Sequence, residues 1–211
     1  MPFGRPTSAA AAAITVVALP GFLIGAYAPE IKEDLSFGDT ELGALLTSGY
    51  LISSIVMSTA GGIADRRGPR LVLRIGVIIA ALAAFLTGLI SNTYLLLLIC
   101  LGLNRVAEGI IQPATNTLIS TGVAPTRQGI AMATKQSAVP FSTALAGFAV
   151  PTLGLFFDWR GTFLLVACLA VPTWFLIPNI KVSETKEFSS RREMWGSRHL
   201  QIIAIAGAFS A

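Results

Sequence analysis

Apolar residues collect in blocks of about twenty, and this feature limits what the chain can fold into more than any other. A hydrocarbon core of about 30 Å is crossed by about 20 residues of helix, at a rise of 1.5 Å per residue. The blocks of this length cover residues 9–28, 40–60, 71–90, 94–121, 129–155 and 162–180. A seventh begins near Leu200 and runs to Ala211. The blocks predict membrane-spanning segments rather than the core of a soluble domain.

Composition and backbone chemistry decide what kind of segments these are. Charged residues make up 12% of the 211 residues and hydrophobic residues 54%, whereas soluble domains carry about 25% charged residues. Backbone groups in lipid must be hydrogen-bonded within the spanning structure, and the blocks lack the alternation of barrel strands. We therefore predict an all-α, multi-pass membrane fold with six transmembrane helices and the start of a seventh.

The first block has an alternative reading as a cleaved signal peptide. Residues 26–28, Ala-Tyr-Ala, resemble a cleavage site. However, Pro29 would follow the cut directly, only Arg5 precedes the block, and five more blocks come after it. These features favour a retained first helix.

The distribution of lysine and arginine predicts the orientation, because short basic loops stay in the cytoplasm. One side of the predicted topology carries eleven basic residues: Arg5, Arg66, Arg67, Arg70, Arg74, Arg127, Lys181, Lys186, Arg191, Arg192 and Arg198. The other side carries Lys32 and Arg160, and its first loop is acidic. We predict a cell-membrane protein with a cytoplasmic N-terminus at residues 1–8 and a cytoplasmic connector at residues 181–199.

Several other classes of function are disfavoured by the residues. The net charge of +4 comes from basic residues between apolar blocks, not from one basic face, so nucleic-acid binding is not expected. Cys100 and Cys168 both lie inside predicted spans, where they fit as small apolar fillers. There is no spacing typical of a metal cluster, a phosphate loop or a catalytic triad. We expect no enzyme activity, no metal and no cofactor.

Two segments share the pattern G-x-x-x-D-x-R-G, 93 residues apart. The first copy consists of Gly61, Asp65, Arg67 and Gly68, and the second of Gly154, Asp158, Arg160 and Gly161. They fall on opposite sides of the predicted topology, which indicates two three-helix units, residues 9–90 and 94–180, related by inversion. Many secondary transporters are built from such inverted repeats.

The first copy also resembles the signature that the major facilitator superfamily carries between its second and third helices, roughly G-x-L-A-D-R-x-G-R-R. The matching residues are Gly61, Ala64, Asp65, Arg66, Gly68 and Arg70, while Ile63 and Pro69 depart. The segment Arg105 to Gly109 is similar to the R-x-x-x-G pattern of that family's fourth helix. The resemblance implies the N-terminal bundle, residues 9–180, of a transporter about twice this length.

The signature segment suits a gate. Asp65, taken as lying near the start of the third span, is expected to face the positive end of that helix dipole and to pair with a nearby arginine. The gating motif comprises Gly61, Asp65, Arg66, Gly68 and Arg70. Gly61 and Gly68 are expected to permit close helix approach and a tight turn. The alternative is that the arginines serve only as a topology signal that faces lipid headgroups.

Polar residues inside the spans predict the substrate site. Arg105, Glu108, Gln112 and Asn116 recur at intervals of three and four in the fourth span, so they share one helix face. The fifth span adds Lys135 and Gln136. A charge at membrane depth costs at least about 2.5 kcal/mol, so such groups normally face a cavity or one another. Glu108 is expected to pair with Arg105 or Lys135, or to carry a coupling proton.

Two cations against one carboxylate leave a surplus positive charge, which favours a small organic anion as substrate. In this prediction the guanidinium of Arg105 clamps a carboxylate and Lys135 provides a second site. We expect a secondary transporter that works by alternating access, in a truncated chain that lacks its C-terminal bundle. The alternatives are a non-transporting remnant, a half-transporter that needs a second copy, and a proton-coupled drug exporter. The exporter is disfavoured because residues 139–144 read VPFSTA where exporters of the resembled family carry G-P-x-x-G-G.

Overall fold

The structure, a computed structural model, describes residues 4–179. Within this range the chain forms helices and no strand, which confirms the all-α prediction. The α-helices are α1 (Arg5–Ala26), α2 (Ala28–Leu35), α3 (Asp39–Arg67), α4 (Pro69–Ile90), α5 (Tyr94–Gly122), α6 (Gln128–Leu153) and α7 (Trp159–Leu176), with a 3-10 helix at Pro125–Arg127. The predicted connector and seventh span, residues 181–199 and 200–211, lie outside the described residues.

Six of these helices correspond to the six predicted spans. Five of them, α1, α3, α4, α5 and α7, are long and apolar enough to cross a membrane. The other, α6, has 26 residues but is too polar to join them, because Lys135, Gln136 and their hydroxyl-bearing neighbours interrupt its apolar sequence. The crossing of the membrane by α6 stays a prediction that its length supports.

Two helix boundaries differ from those predicted. The second apolar block ends at residue 60, but α3 continues to Arg67, since a helix does not have to end where its side chains become polar. The acidic segment before α3, treated as a loop, forms the short helix α2, which begins at Ala28 and buries Ile31. Pro29 suits the first turn of α2. A backbone N–H in the first turn of a helix has no acceptor within that helix, so proline, which lacks this group, loses no hydrogen bond there.

The bundle is organised around α1, which contacts α4, α5, α6 and α7. The most extensive contacts of α3 are with α5, and those of α6 are with α1. The second long helix of each half therefore packs on the first long helix of the other half. Buried residues of α1 extend from Thr7 to Ile24, so cleavage of this helix as a leader would open the centre of the bundle.

Small residues allow this close packing. A Cβ atom on Gly76 would lie 2.6 Å from Cγ1 of Ile111, and one on Gly109 would lie 2.7 Å from the carbonyl oxygen of Ser53. These glycines bring α5 against α4 and α3. The backbone of α5 is thereby fixed at the positions that flank its charged residues.

Candidate functional site

Arg105 is buried in the middle of the bundle with its charge compensated. Its side chain is 4% exposed, and Nη1 donates a hydrogen bond of 2.7 Å to Oε2 of Glu108, one turn further along α5. The guanidinium carbon lies 4.4 Å from the ring centroid of Tyr50 on α3, within the range of a cation–π contact. Of the predicted partners for Glu108, the structure therefore selects Arg105.

Two glycines from neighbouring helices make room for the guanidinium group. A Cβ atom on Gly21 of α1 would lie 2.7 Å from Nη2 of Arg105, and one on Gly49 of α3 would lie 2.9 Å from its Cγ. Real Cβ atoms essentially never come so close to another heavy atom. Gly21 and Gly49 belong to the site although neither was predicted there, because single glycines are common in membrane spans.

Lys135 is equally buried but has no acidic partner among the described residues. Its Nζ atom donates hydrogen bonds to Oδ1 of Asn116, at 2.7 Å, and to Oε1 of Gln112, at 3.1 Å. Both acceptors are neutral amide oxygens of α5. The two cations of the site thus differ, since Arg105 is neutralised by a carboxylate and Lys135 is only solvated by amides.

The four residues of the predicted stripe follow one another at helical spacing along α5, and Lys135 of α6 bonds to the last two of them. We refer to Arg105, Glu108, Gln112, Asn116 and Lys135 as the polar face. Asn116 is exposed and Glu108 partly exposed, so this face is not enclosed by the part of the chain that the structure describes. Gln136 is exposed on α6, and no side-chain hydrogen bond within residues 4–179 involves it.

A cavity in the described part of the bundle does not contain the polar face. It has a volume of about 800 Å³ and lies between α1, α6 and α7, where Thr15, Phe141 and Thr173 contribute to its walls. None of the predicted binding residues lines it. The polar face therefore lies apart from this cavity.

The signature segment is placed differently from the prediction. Asp65 lies in the last turn of α3, the negative end of that helix, and not at the start of the next helix. Its Oδ1 accepts a hydrogen bond of 3.0 Å from the hydroxyl of Thr117 on α5. The expected pairing of Asp65 with a nearby arginine is wrong for the described residues, whose ion pairs do not include Asp65, because α3 extends past the apolar block and carries Asp65 to α5.

The glycines of that segment agree better with expectation. Gly68 is the single residue between α3 and α4 and has a φ of 84°, a conformation that glycine adopts at little cost. Pro69 then begins α4, with its fixed φ suited to a first helical turn. Gly61 lies within α3, and a Cβ atom there would be in ordinary contact, 3.7 Å, with Cβ of Pro113.

The second copy of the motif forms a cluster at the opposite end of the bundle. Asp158 caps α7, since its Oδ1 accepts a hydrogen bond of 2.8 Å from the backbone N–H of Gly161. Arg160 pairs with Asp34 of α2 at 2.6 Å and donates to the carbonyl oxygen of Ser91 at the end of α4. The position at the positive end of a helix, predicted for Asp65, is thus occupied by Asp158 at the start of α7. Gly154 ends α6 as its C-cap.

These features define a polytopic helical membrane protein with charged side chains buried between its helices. The chain belongs to the Major Facilitator Superfamily, whose sequence model matches residues 10–211. This confirms the resemblance carried by the signature segment.

Individual relatives match the chain along part of their own length. It is 26% identical over 162 residues to the hexuronate transporter of Bacillus subtilis, a match that covers 75% of the chain and 38% of that protein. It is 27% identical over 141 residues to the probable L-galactonate transporter of Escherichia coli, which covers 67% of the chain and 31% of that protein. Transporters named for efflux or multidrug transport are also among the relatives. The chain spans about a third of the length of the two curated relatives described above.

The fold is shared with a solved structure. A bacterial homologue of the human lysosomal transporter Spinster, crystallised in an inward-facing and unoccupied conformation, superimposes with a TM-score of 0.70 at 18% identity. The match covers 90% of the chain and 46% of that structure. At this identity the similarity shows the fold alone.

Proposed function

We propose that this chain provides the N-terminal six-helix bundle, built from two inverted three-helix units, of a secondary active transporter that moves a small organic anion by alternating access. The observation that carries the proposal is Lys135, a buried cation whose described partners are two neutral amide oxygens. A buried ammonium without a counter-charge is unfavourable. A substrate carboxylate would supply that counter-charge.

Arg105 would provide the second cationic group that contacts the substrate. Its Nη1 is held by Glu108, but its Nε is buried without a hydrogen-bond partner among the described residues. A carboxylate that reaches the guanidinium would compete with Glu108 for it. Glu108, once displaced, would be free to take up a proton, which would couple substrate binding to proton movement.

The names of two relatives support an anionic substrate. Hexuronate and L-galactonate, named for the relatives from Bacillus subtilis and Escherichia coli, are sugar acids that carry a carboxylate. The polar face has the cations that such a substrate requires. A sugar acid or a similar small hydroxy acid is therefore the substrate class that we propose.

A second bundle would complete the site. The polar face is open in the described part of the chain, and the relatives are much longer than the matched region. We propose that a C-terminal bundle or a second copy covers this face and that the two bundles rock about it. Without that partner, the chain would bind an anion but not carry it through a full cycle.

A drug exporter is the second candidate, because efflux transporters are among the relatives. Exporters that take cationic drugs need uncompensated carboxylates at the site. Here the carboxylate of the polar face, Glu108, is already paired with Arg105. The surplus charge is positive, which disfavours a cationic substrate.

Binding of sugar acids to the purified full-length chain tests the proposal. We expect glucuronate to bind and glucose not to bind, and Lys135→Gln to weaken glucuronate binding by about 10- to 100-fold, as expected for the loss of a charge-assisted hydrogen bond. The matched control is Lys32→Gln, which removes a lysine paired with Asp39 outside the polar face and should leave the affinity unchanged. Equal binding by Lys135→Gln and the wild type, measured by titration calorimetry, would disprove the assignment. A preference for a lipophilic cation over glucuronate would favour the exporter.

A further inference from the structure

A second groove lies on the outside of the bundle, between α4 and α7. It has a volume of about 290 Å³ and is lined by apolar and aromatic side chains, which include Ile78 of α4 and Val171, Trp174 and Phe175 of α7. Phe175 is 77% exposed, and Ile78 and Val171 are more than half exposed. On a membrane-spanning helix, such exposed apolar side chains face lipid. The groove is therefore open to the hydrocarbon of the membrane.

Arginine side chains lie at one end of this groove. The guanidinium carbon of Arg74 is 4.9 Å from the ring centroid of Trp174, and Arg70 lies one turn nearer the start of α4. Because α4 begins at Pro69 and α7 ends at Leu176, these side chains lie at the ends of the two helices. That is the level at which tryptophan and arginine meet lipid headgroups.

The charges of Arg70 and Arg74 have no acidic partner within residues 4–179, where the described ion pairs involve other residues. The Nε atoms of both side chains are also buried without a hydrogen-bond partner in this part of the chain. Both residues are partly exposed, and a pair of partly exposed guanidinium groups matches the oxygens of a phosphate. The end of the groove is thus complementary to an anion, and its apolar lining is complementary to a hydrocarbon chain.

We propose that the groove binds one anionic phospholipid, with the phosphate on Arg70 and Arg74 and an acyl chain between α4 and α7. The other candidate occupant is the part of this chain that follows residue 179. That part carries five basic residues, Lys181, Lys186, Arg191, Arg192 and Arg198, and three acidic ones, Glu184, Glu187 and Glu193. Its net charge of +2 (five minus three) is the wrong sign for the end of the groove, so charge complementarity favours the lipid.

Native mass spectrometry of the purified full-length chain tests this site, with phosphatidylglycerol and phosphatidylcholine of identical acyl chains as probes. We expect the wild type to retain phosphatidylglycerol about tenfold more tightly than phosphatidylcholine. The double variant Arg70→Gln/Arg74→Gln should lose this preference. The control Arg67→Gln/Arg127→Gln removes the same number of charges at exposed positions outside α4 and α7, and it should keep the preference.

A second pair of variants tests the acyl-chain part of the site independently of charge. Val171→Trp adds bulk inside the groove at an exposed position, whereas Leu95→Trp adds it at an exposed position on α5. We expect at least a threefold loss of phosphatidylglycerol retention for Val171→Trp and none for Leu95→Trp. Equal loss of the preference in both arginine double variants would show unspecific attraction by surface charge, and unchanged retention by Val171→Trp would show that no acyl chain occupies the groove. Either result would overturn the proposal.

Discussion

The two buried cations of the polar face, Arg105 and Lys135, are stabilised by different kinds of partner. Arg105 is compensated within its own helix by Glu108, at 2.7 Å, so its counter-charge comes from α5 alone, although α1 and α3 contribute to its burial. Lys135 reaches across from α6 to the amides of Gln112 and Asn116. The position of the lysine therefore depends on how α5 and α6 pack, whereas that of the arginine does not.

Glycine substitutions in α1 test whether the space around the guanidinium group is needed. Gly21→Ala would place a methyl group 2.7 Å from Nη2 of Arg105, whereas Gly25→Ala, one turn away, meets nothing within 4 Å. We expect Gly21→Ala to lower the free energy of unfolding by about 1–3 kcal/mol, as overpacking does, and to weaken anion binding. Gly25→Ala should have no effect or a slightly stabilising one.

Thermal unfolding in detergent, followed by circular dichroism, measures the stability change, and calorimetry with glucuronate measures the affinity. If both alanine variants behave alike, the fit of Arg105 against α1 does not matter for either property.

The sequence predicted the stripe from Arg105 to Asn116 correctly because helical spacing alone places those residues on one face. It left the partner of Glu108 open, since the choice depends on the packing of α6 against α5. It misplaced Asp65, because a fall in hydrophobicity after residue 60 does not reveal that α3 continues to Arg67. Tyr50, Gly21 and Gly49 were missed, as single residues on other helices give no spacing pattern.

At the scale of the elements, the short helix α2 is held by the cluster around Arg160. Asp34 of α2 accepts from Nε1 of Trp159 at 3.2 Å and pairs with Arg160 at 2.6 Å. The guanidinium carbon of Arg160 lies 4.3 Å from the ring centroid of Trp159. These contacts join α2 to the start of α7 and, through Ser91, to the end of α4. Helix α2 was not predicted because it has only 8 residues and is too short for a clear periodic pattern.

Substitution of Asp34 and Arg160 tests this link. We expect Arg160→Gln and Asp34→Asn each to lower the free energy of unfolding by about 1–2 kcal/mol, a value between those of exposed and fully buried ion pairs. The double variant should lose less than the sum of the two, with a coupling energy of at least about 0.5 kcal/mol. Strictly additive losses in denaturant titrations would mean that the pair is not a unit.

At the scale of the whole molecule, the proposed orientation follows from charge and not from packing. The basic link at Pro125–Arg127 and the acidic helix α2 lie at opposite ends of the bundle, since an odd number of long helices separates them. The positive-inside rule then predicts that residue 126 lies in the cytoplasm and α2 outside.

Cysteine labelling checks this orientation. In a background with Cys100→Ser and Cys168→Ser, Glu33→Cys and Thr126→Cys are both exposed positions. A membrane-impermeant maleimide should label Glu33→Cys in intact cells and Thr126→Cys only after the cells are opened. The reverse pattern would invert the proposed topology.

The exchange of partners between the two halves has a consequence for biosynthesis. Because α3 packs on α5 and α6 on α1, neither half can bury its helix surfaces before the other has been inserted. The bond between Tyr27 and Thr162 joins residues 135 positions apart. During translation, the surface of α1 that contacts α6 and α7 therefore stays exposed in the membrane until those two helices have been synthesised and inserted. Assembly of this bundle is a late event, and substitutions on the contact surface of α1 should expose the nascent chain to quality control even where the finished structure would tolerate them.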